Sequence, residues 1–399
     1  MSAWKDPDMR RPRKIAIGGS FAALLVALAA AQAAMDRQAR AQGLAARQAP
    51  RFEVDPLWPK PLPNRWIMGS VIGVSVDSND RVWMLHRPSS LSDNEKAAVL
   101  NPPLSECCVP APPVLVFDQS GNLVRTWGGP GAGYDWPQAE HGIHVDYKNN
   151  VWIAGTHVLK FTQQGRFLLQ IGAKGESGGS NDTEHLNRPT QVAVDPDTNE
   201  VYVADGYGNR RVIVFDADTG KYQRHWGAYG SKPDDSDPYN SASAVVGKDY
   251  DPKTPSKQFS RAVHGVALSK DGLVYVSDRV NNRIQVFRKN GSFVKELFIN
   301  RSTRGFGSAF EAAFSPDPEQ QYLYNVDGMN QKVDVIRRQS LEVIAAFGQG
   351  GRYPGQFFAV HSVAVDSKGN IYTGETLEGK RLQRFLYKGI GTTTESLQR

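Results

Sequence analysis

Cysteine is nearly absent from this chain of 399 residues: there are two, side by side at Cys107 and Cys108. Two cysteines exclude a zinc ribbon and a disulfide framework. In an oxidising compartment they could close a vicinal disulfide that stiffens a loop, or they could remain free or intermolecularly linked thiols, and the sequence leaves both readings open. A long amphipathic helix pattern is missing after residue 50, while glycine (38) and proline (24) are plentiful, which favours many short strands and turns. Excess charge is missing from most of the chain as well. The formal net charge is +6, but residues 1–51 hold nine Lys/Arg against three Asp/Glu, leaving 38 of each sign beyond them. A neutral body lacks the basic field of a nucleic-acid binder, so no nucleic-acid partner is expected.

What the N-terminus does have is a charged stretch, M-S-A-W-K-D-P-D-M-R-R-P-R-K, followed by an apolar run from Ile15 to Ala34 with A-Q-A at 31–33 as a cleavage site. Arg10-Arg11 suggests a twin-arginine signal, although Pro12, Arg13 and Lys14 fit that motif poorly. The expectation is export to the periplasm or the extracellular space. Residues 1–34 act as a signal peptide or stay as a membrane anchor through 15–34, and membrane contact follows only if that segment is uncleaved. Residues 35–51 read as a linker, 52–389 as the folded body and 390–399 as a tail.

The body repeats. Six copies of a strand ending in V-x-V-D or similar begin at Ile72, His141, Thr190, His264, Phe310 and His361, each followed by a turn and a second strand rich in Val, Tyr and Trp. Third and fourth strands follow most copies, as in V-I-V-F (212–215) and F-V-K-E-L-F (293–298). Four short antiparallel strands repeated six times predict an all-β fold, a six-bladed β-propeller around a central channel. No blade can bury both its faces alone, so all six are expected to form one domain. Phe52-Glu53-Val54-Asp55 is the expected source of the strand that closes the ring.

The first position of the six copies carries histidine in alternate blades two, four and six. In a propeller the innermost strands border the channel, so His141, His264 and His361 are expected to converge on one point of the axis. Channel residues are often polar, and a lone histidine there is best read as bonded to water; three of eight histidines on one repeat position favour a metal. Three imidazoles with a fourth position left open suit zinc. His144, three residues after His141, is expected on the opposite face under the period of two.

The second strands add polar groups at their ends. Copy one ends W-M-L-H-R (83–87) and copy four Y-V-S-D-R (275–279), so Arg87 and Arg279 are equivalent, while copy three, Y-V-A-D-G-Y (202–207), places Tyr207 one residue further on. Rim salt bridges are the usual role of such arginines. Beside a metal, two guanidiniums recognise a carboxylate and their field favours a tyrosine acting as base.

The N-R-R and N-N-R-I-Q-V-F stretches, with W-G or F-G after fourth strands, resemble the NHL class of propeller over about residues 52–388. Within it, H-R (86–87), H-G (141–142), V-A-D-G-Y-G-N-R-R (203–211), H-G-V-A-L with S-D-R-x-N-x-R-I-Q (264–285) and V-H-S (360–362) resemble the peptidyl-α-hydroxyglycine α-amidating lyases. The resemblance implies zinc on His141, His264 and His361, Tyr207 as base, Arg87 and Arg279 lining the substrate site, and collapse of an N-acyl carbinolamine to an amide and glyoxylate. It also implies calcium held by an aspartate after the third histidine and by backbone carbonyls at Val74 and Ile143. Here the aspartate position is Ser362, which puts calcium in doubt, and Ala359 replaces a methionine of the site, which widens the pocket. The insert 88–113 in blade one follows Arg87 and is expected to form a lid or wall. No companion copper monooxygenase domain is expected within these residues, so the substrate is read as a small molecule or peptide, with no hormone implied. Two other readings stand beside the lyase. One is a metal-dependent hydrolase with Glu140 beside His141 as its acid or base; the other is a scaffold without enzymatic activity that binds a partner on its rim. The oligomeric state is not legible.

Overall fold

The computed structural model describes residues 27–28, 30–35, 48–236, 251–254 and 256–392. Its contacts divide the chain into Met1–Gln48 and Ala49–Arg399. In the first unit, residues 27–28 and 30–35 are helical, and among the described residues no helix is long and apolar enough to cross a membrane. The expectations for Ile15–Ala34 fall largely, and those for 393–399 wholly, outside the described residues.

The second unit is all-β, with six four-stranded antiparallel sheets. Their innermost strands are Ser70–Val76, Gly142–Val145, Gln191–Asp195, Val263–Leu268, Ala312–Phe314 and Val360–Val365. Six hydrophobic clusters fill the six gaps between neighbouring sheets, such as Trp152, Ile171, Val201 and Phe215 between blades two and three. Residues Tyr324, Val335, Val363 and Ile371 fill the gap between blades five and six. This is the packing of a six-bladed β-propeller, in which each blade buries its faces only against its neighbours.

The V-D ending of the repeat has a local cause. The carboxylates of Asp77, Asp146 and Asp366 accept a turn N–H two residues on and, from the second strand, the Trp83 indole (2.9 Å), the Trp152 indole (2.9 Å) and the Tyr372 hydroxyl (3.0 Å). One side chain thereby sets both the turn and the pairing of the hairpin. At the far end of the second strand a buried acid meets an arginine opening the third: Asp205 with Arg211 (2.9 Å) and Asp278 with Arg283 (2.7 Å), all four side chains without exposure. Glu375 and Arg381 repeat this in blade six (2.6 Å).

The ring closes as expected, by N-terminal sequence. Strand Gln48–Asp55 forms the outer edge of blade six beside Arg381–Thr392. Both strands run past the expected limits of 52 and 389, because their ends lie against one another, Gly391 abutting the Arg51 side chain. Asp55 pairs with Arg384 at 2.5 Å. In the insert, Cys107 and Cys108 are bonded to each other. Its Val109–Pro110 pairs in parallel with Trp66–Ile67, and Glu95 reaches Lys380 of blade six at 2.7 Å.

Candidate functional site

The innermost strands of blades one, four and six begin with a bulge. In blades four and six the pairing skips one residue, His264 between Val263 and Gly265 and His361 between Val360 and Ser362. In blade two, His141 and Gly142 both face Ala154. A bulge sets two residues against one and re-aims the extra side chain, here toward the axis. Gly142 is required by the same geometry, since a Cβ there would collide with the Thr190 carbonyl of the next blade. The bulge also corrects the expectation for His144. Because it resets the alternation, His144 leans the same way as His141, toward blade three, where it accepts the Val194 N–H at 3.4 Å. His144 is thus a brace between blades.

The three imidazoles form an equilateral group, with ring centroids 4.8 Å apart for every pair. One nitrogen from each lies within 4.8 Å of the others, and all three residues are buried. Their outer nitrogens are tied down by the following blades: His141 Nδ1 donates to the Thr190 carbonyl (2.9 Å) and His264 Nδ1 to the Phe310 carbonyl (2.8 Å). The Ile72 backbone acts on His361 in the same sense, though outside strict hydrogen-bond geometry. Fixing Nδ1 as the donor leaves Nε2 with its lone pair, as in a histidine oriented to bind a metal. His264 Nε2 is buried with no hydrogen-bond partner. Burial, with the guanidinium of Arg279, holds all three below the usual histidine range, His361 at about 3; Arg87 adds to this at His141 and His361, and the neighbouring imidazoles at His141 and His264. The imidazoles therefore favour the neutral form, and this donor set can hold a metal ion.

Around this group lie the groups at the ends of the second strands. Arg279, 3% exposed, donates from Nη1 to the Tyr207 hydroxyl at 2.8 Å. Its guanidinium lies 5.0 to 5.8 Å over the rings of Phe310, Tyr207 and Phe306. The Tyr207 oxygen is 3.4 Å from His141 Nε2. Arg87 donates from Nε to the Glu140 backbone carbonyl at 2.7 Å, and burial lowers its pKa against the pull of Tyr207 and Glu140. The sequence-derived residues His141, His264, His361, Tyr207, Arg279 and Arg87 thus come together on one rim.

Glu140 does not join them. Its carboxylate takes the Trp136 indole N–H at 2.8 Å, in the gap between blades one and two. The equivalent residues Val71, Val263 and Val360 pack fully buried between blades. Val74 and Ile143 line the channel on the other side of the histidines, around a cavity of about 280 Å³. Ser362 offers a buried hydroxyl with no partner where the resemblance expects a carboxylate. Sequence reasoning missed Glu311, the blade-five equivalent of Ser362. It is buried in the same channel, it takes the Gln191 amide, and burial raises its pKa well above the usual range. Its place beside Phe310, at the repeat position after the histidine column, was the available signal.

Comparison with known proteins agrees with this geometry. The NHL repeat model matches residues 186–215 and 263–287. Mouse (Mus musculus) "Peptidyl-glycine alpha-amidating monooxygenase" is 26% identical over 326 residues, 77% of this chain and 29% of its own length. Drosophila melanogaster "Peptidyl-alpha-hydroxyglycine alpha-amidating lyase 1" is 25% identical, covering 84% of this chain and 59% of its own length. Mouse "NHL repeat-containing protein 3" is 25% identical and covers 84% of each chain. The chain therefore spans less than a third of the mouse monooxygenase and most of the NHL-repeat protein.

Proposed function

We propose that this chain, an NHL-repeat six-bladed propeller related to amidating lyases and to NHL-repeat proteins, is an exported metal-dependent lyase that cleaves the C–N bond of an N-acyl carbinolamine or a related small hydroxylated substrate. The observation that carries this reading is the equilateral, neutral histidine group with Tyr207 and Arg279 bonded at its edge. His141, His264 and His361 would hold zinc, which when bound supplies Lewis acidity to a substrate hydroxyl.

The chain's own groups account for the rest. Arg87 and Arg279 approach from opposite blades and suit the two oxygens of a substrate carboxylate. Arg279 donates to the Tyr207 oxygen and would favour its deprotonated form, the tyrosinate, which would accept the hydroxyl proton as general base and hand it to the leaving nitrogen. As the C–O bond gains double-bond character the C–N bond breaks, and the amide nitrogen takes up one proton. The products are an amide and glyoxylate, and the proton balance closes. The insert 88–113, held to blade six through Glu95 and Lys380, would wall one side of the pocket. Ser362 in place of a carboxylate speaks against structural calcium. Glu140 Oε1 accepts from the Trp136 indole, Oε2 is buried without a partner, and neither oxygen is bonded to a histidine.

The test is metal content of the purified protein, parent beside His264→Ala, followed by glyoxylate release from α-hydroxyhippurate with Tyr207→Phe as control. About one zinc per chain, lost in the variant, with activity lost in both variants, is expected. A parent that stays metal-free after reconstitution overturns the lyase reading in favour of a rim-binding scaffold.

A further inference from the structure

The repeat position after the histidine column is small in four blades: Gly73, Gly142, Gly265 and Ser362. Only blades three and five, which flank blade four, carry a long polar side chain there, Gln191 and Glu311. The two meet in the channel. Gln191 Oε1 accepts the Val266 N–H of blade four at 2.9 Å, which fixes the orientation of the amide, and Gln191 Nε2 then donates to Glu311 Oε1. The Val363 N–H of blade six is directed at the same carboxyl, and Glu311 is 7% exposed. One run of polar contacts thus joins blades three, four, five and six.

The pair is attached where the histidines are held. Thr190, the residue before Gln191, supplies the carbonyl for His141 Nδ1, and Phe310, the residue before Glu311, supplies the one for His264 Nδ1. At Gly265, next to His264, the pair and the anchor come together: a Cβ there would lie 3.2 Å from Gln191 Oε1 and 3.2 Å from the Phe310 carbonyl. Other blades are bridged in the same channel, by Ser75 accepting the Val145 N–H at 3.1 Å and His144 accepting the Val194 N–H at 3.4 Å. Those bridges stand two positions further along the strands, and neither Ser75 nor His144 follows a residue whose carbonyl holds a histidine.

We propose that Gln191 and Glu311 are positioning residues of the metal centre: their hydrogen bond sets the separation of the Thr190 and Phe310 carbonyls, and through them the aim of His141 and His264. This rests on the metal-binding reading of the three histidines. An amide and a carboxyl suit the task, because the amide accepts from blade four while donating across the channel, and the carboxyl takes what is donated. Two carboxylates would face each other acceptor to acceptor, and two amides would leave a buried N–H without an acceptor.

The experiment measures zinc affinity of the full chain by chelator competition in calcium-free buffer, for the parent, Gln191→Glu, Glu311→Gln and the exchange that combines both substitutions. In the exchange the carboxylate at position 191 accepts the Val266 N–H, and the amide at 311 donates back to it while its oxygen faces the Val363 N–H, so every bond has a counterpart. Each single variant should weaken zinc binding about 10- to 100-fold, and the exchange should recover to within about three-fold of the parent. Where a single variant does not fold, recovery of folding and of zinc binding in the exchange decides in the same way. Ser75→Ala, which removes a bridge remote from the anchoring carbonyls, should lower the urea midpoint and leave zinc affinity within about three-fold. Single variants that bind zinc like the parent, an exchange no better than the singles, or an equal loss in Ser75→Ala overturns the assignment. So does a parent whose zinc affinity rises with added calcium while that of Glu311→Gln does not, since Glu311 is then a cation ligand. A parent that takes up no zinc overturns the metal reading instead. The pair is then judged on the metal-free, histidine-labelled chain by the Nδ1–H resonances of His141 and His264: movement in the singles with return in the exchange supports it, and resonances that stay in place overturn it.

Discussion

If Arg279 serves the reaction through Tyr207, removing either side of their hydrogen bond should remove most of what the other contributes. The perturbation is a double-mutant cycle of Tyr207→Phe and Arg279→Met, which delete the hydroxyl and the charge while keeping side-chain bulk. The bond is 2.8 Å long and the guanidinium is 3% exposed, so solvent screens it little. A hydrogen bond to a charged group in such a setting contributes about 1.5 to 3 kcal/mol, a coupling of roughly 10- to 150-fold in kcat/KM. Tyr207→Phe should by itself cost about 10² to 10⁴ in rate, as loss of a general base does. Arg279→Met should cost a comparable factor. The double variant should then fall short of the product of the two by the coupling, about 2 kcal/mol. Glyoxylate release from one carbinolamine by the four proteins gives the cycle. The same cycle read from urea unfolding reports the bond independently of turnover. Additivity within about 0.5 kcal/mol in both measurements would refute the pairing and make Arg279 a substrate contact only.

Other outcomes follow from particular contacts. Asp278 accepts from Ser260 N–H, Ser260 hydroxyl, Asn281 and Arg283, so Asp278→Ala strands a buried guanidinium and should cost about 3 to 5 kcal/mol in urea unfolding. Gly142→Ala drives a methyl group into the Thr190 carbonyl that anchors His141, and should weaken zinc binding by about 10- to 100-fold in a competition titration. Burial, reinforced by Asp334, raises Asp327 from 3.8 to about 6. Its stability contribution is therefore complete below the unfolded value and is lost as pH rises through about 6. Between pH 4 and pH 7.5 the parent should lose about 2 to 3 kcal/mol more than Asp327→Asn, measured by urea unfolding at each pH.

The blades were legible because the V-x-V-D strand is a local pattern, with Asp77 and Asp146 setting turns and indoles within a single hairpin. The histidine column was legible for a related reason: repetition converts six local positions into one ring, so alternation in sequence becomes three-fold symmetry in space. Contacts that exist only after blades meet were not legible. The bulge that turns His141 and His144 the same way depends on the pairing of Gly142 with Ala154. Glu311 and the Thr190 carbonyl matter only through the neighbouring blade.

The outer strand of blade six comes from the other end of the chain, with Asp55 and Arg384 joined across 329 positions of sequence. The first strand to leave the ribosome is thus the last to find its partner, since Arg381–Thr392 must exist before it. Closure of so large a loop is an entropic cost met late in folding. His361 belongs to that same final sheet, so a nascent chain that has made His141 and His264 holds two imidazoles without the third. The group of three imidazoles is thus completed only with the last blade to be made, and its geometry depends on the circle being closed.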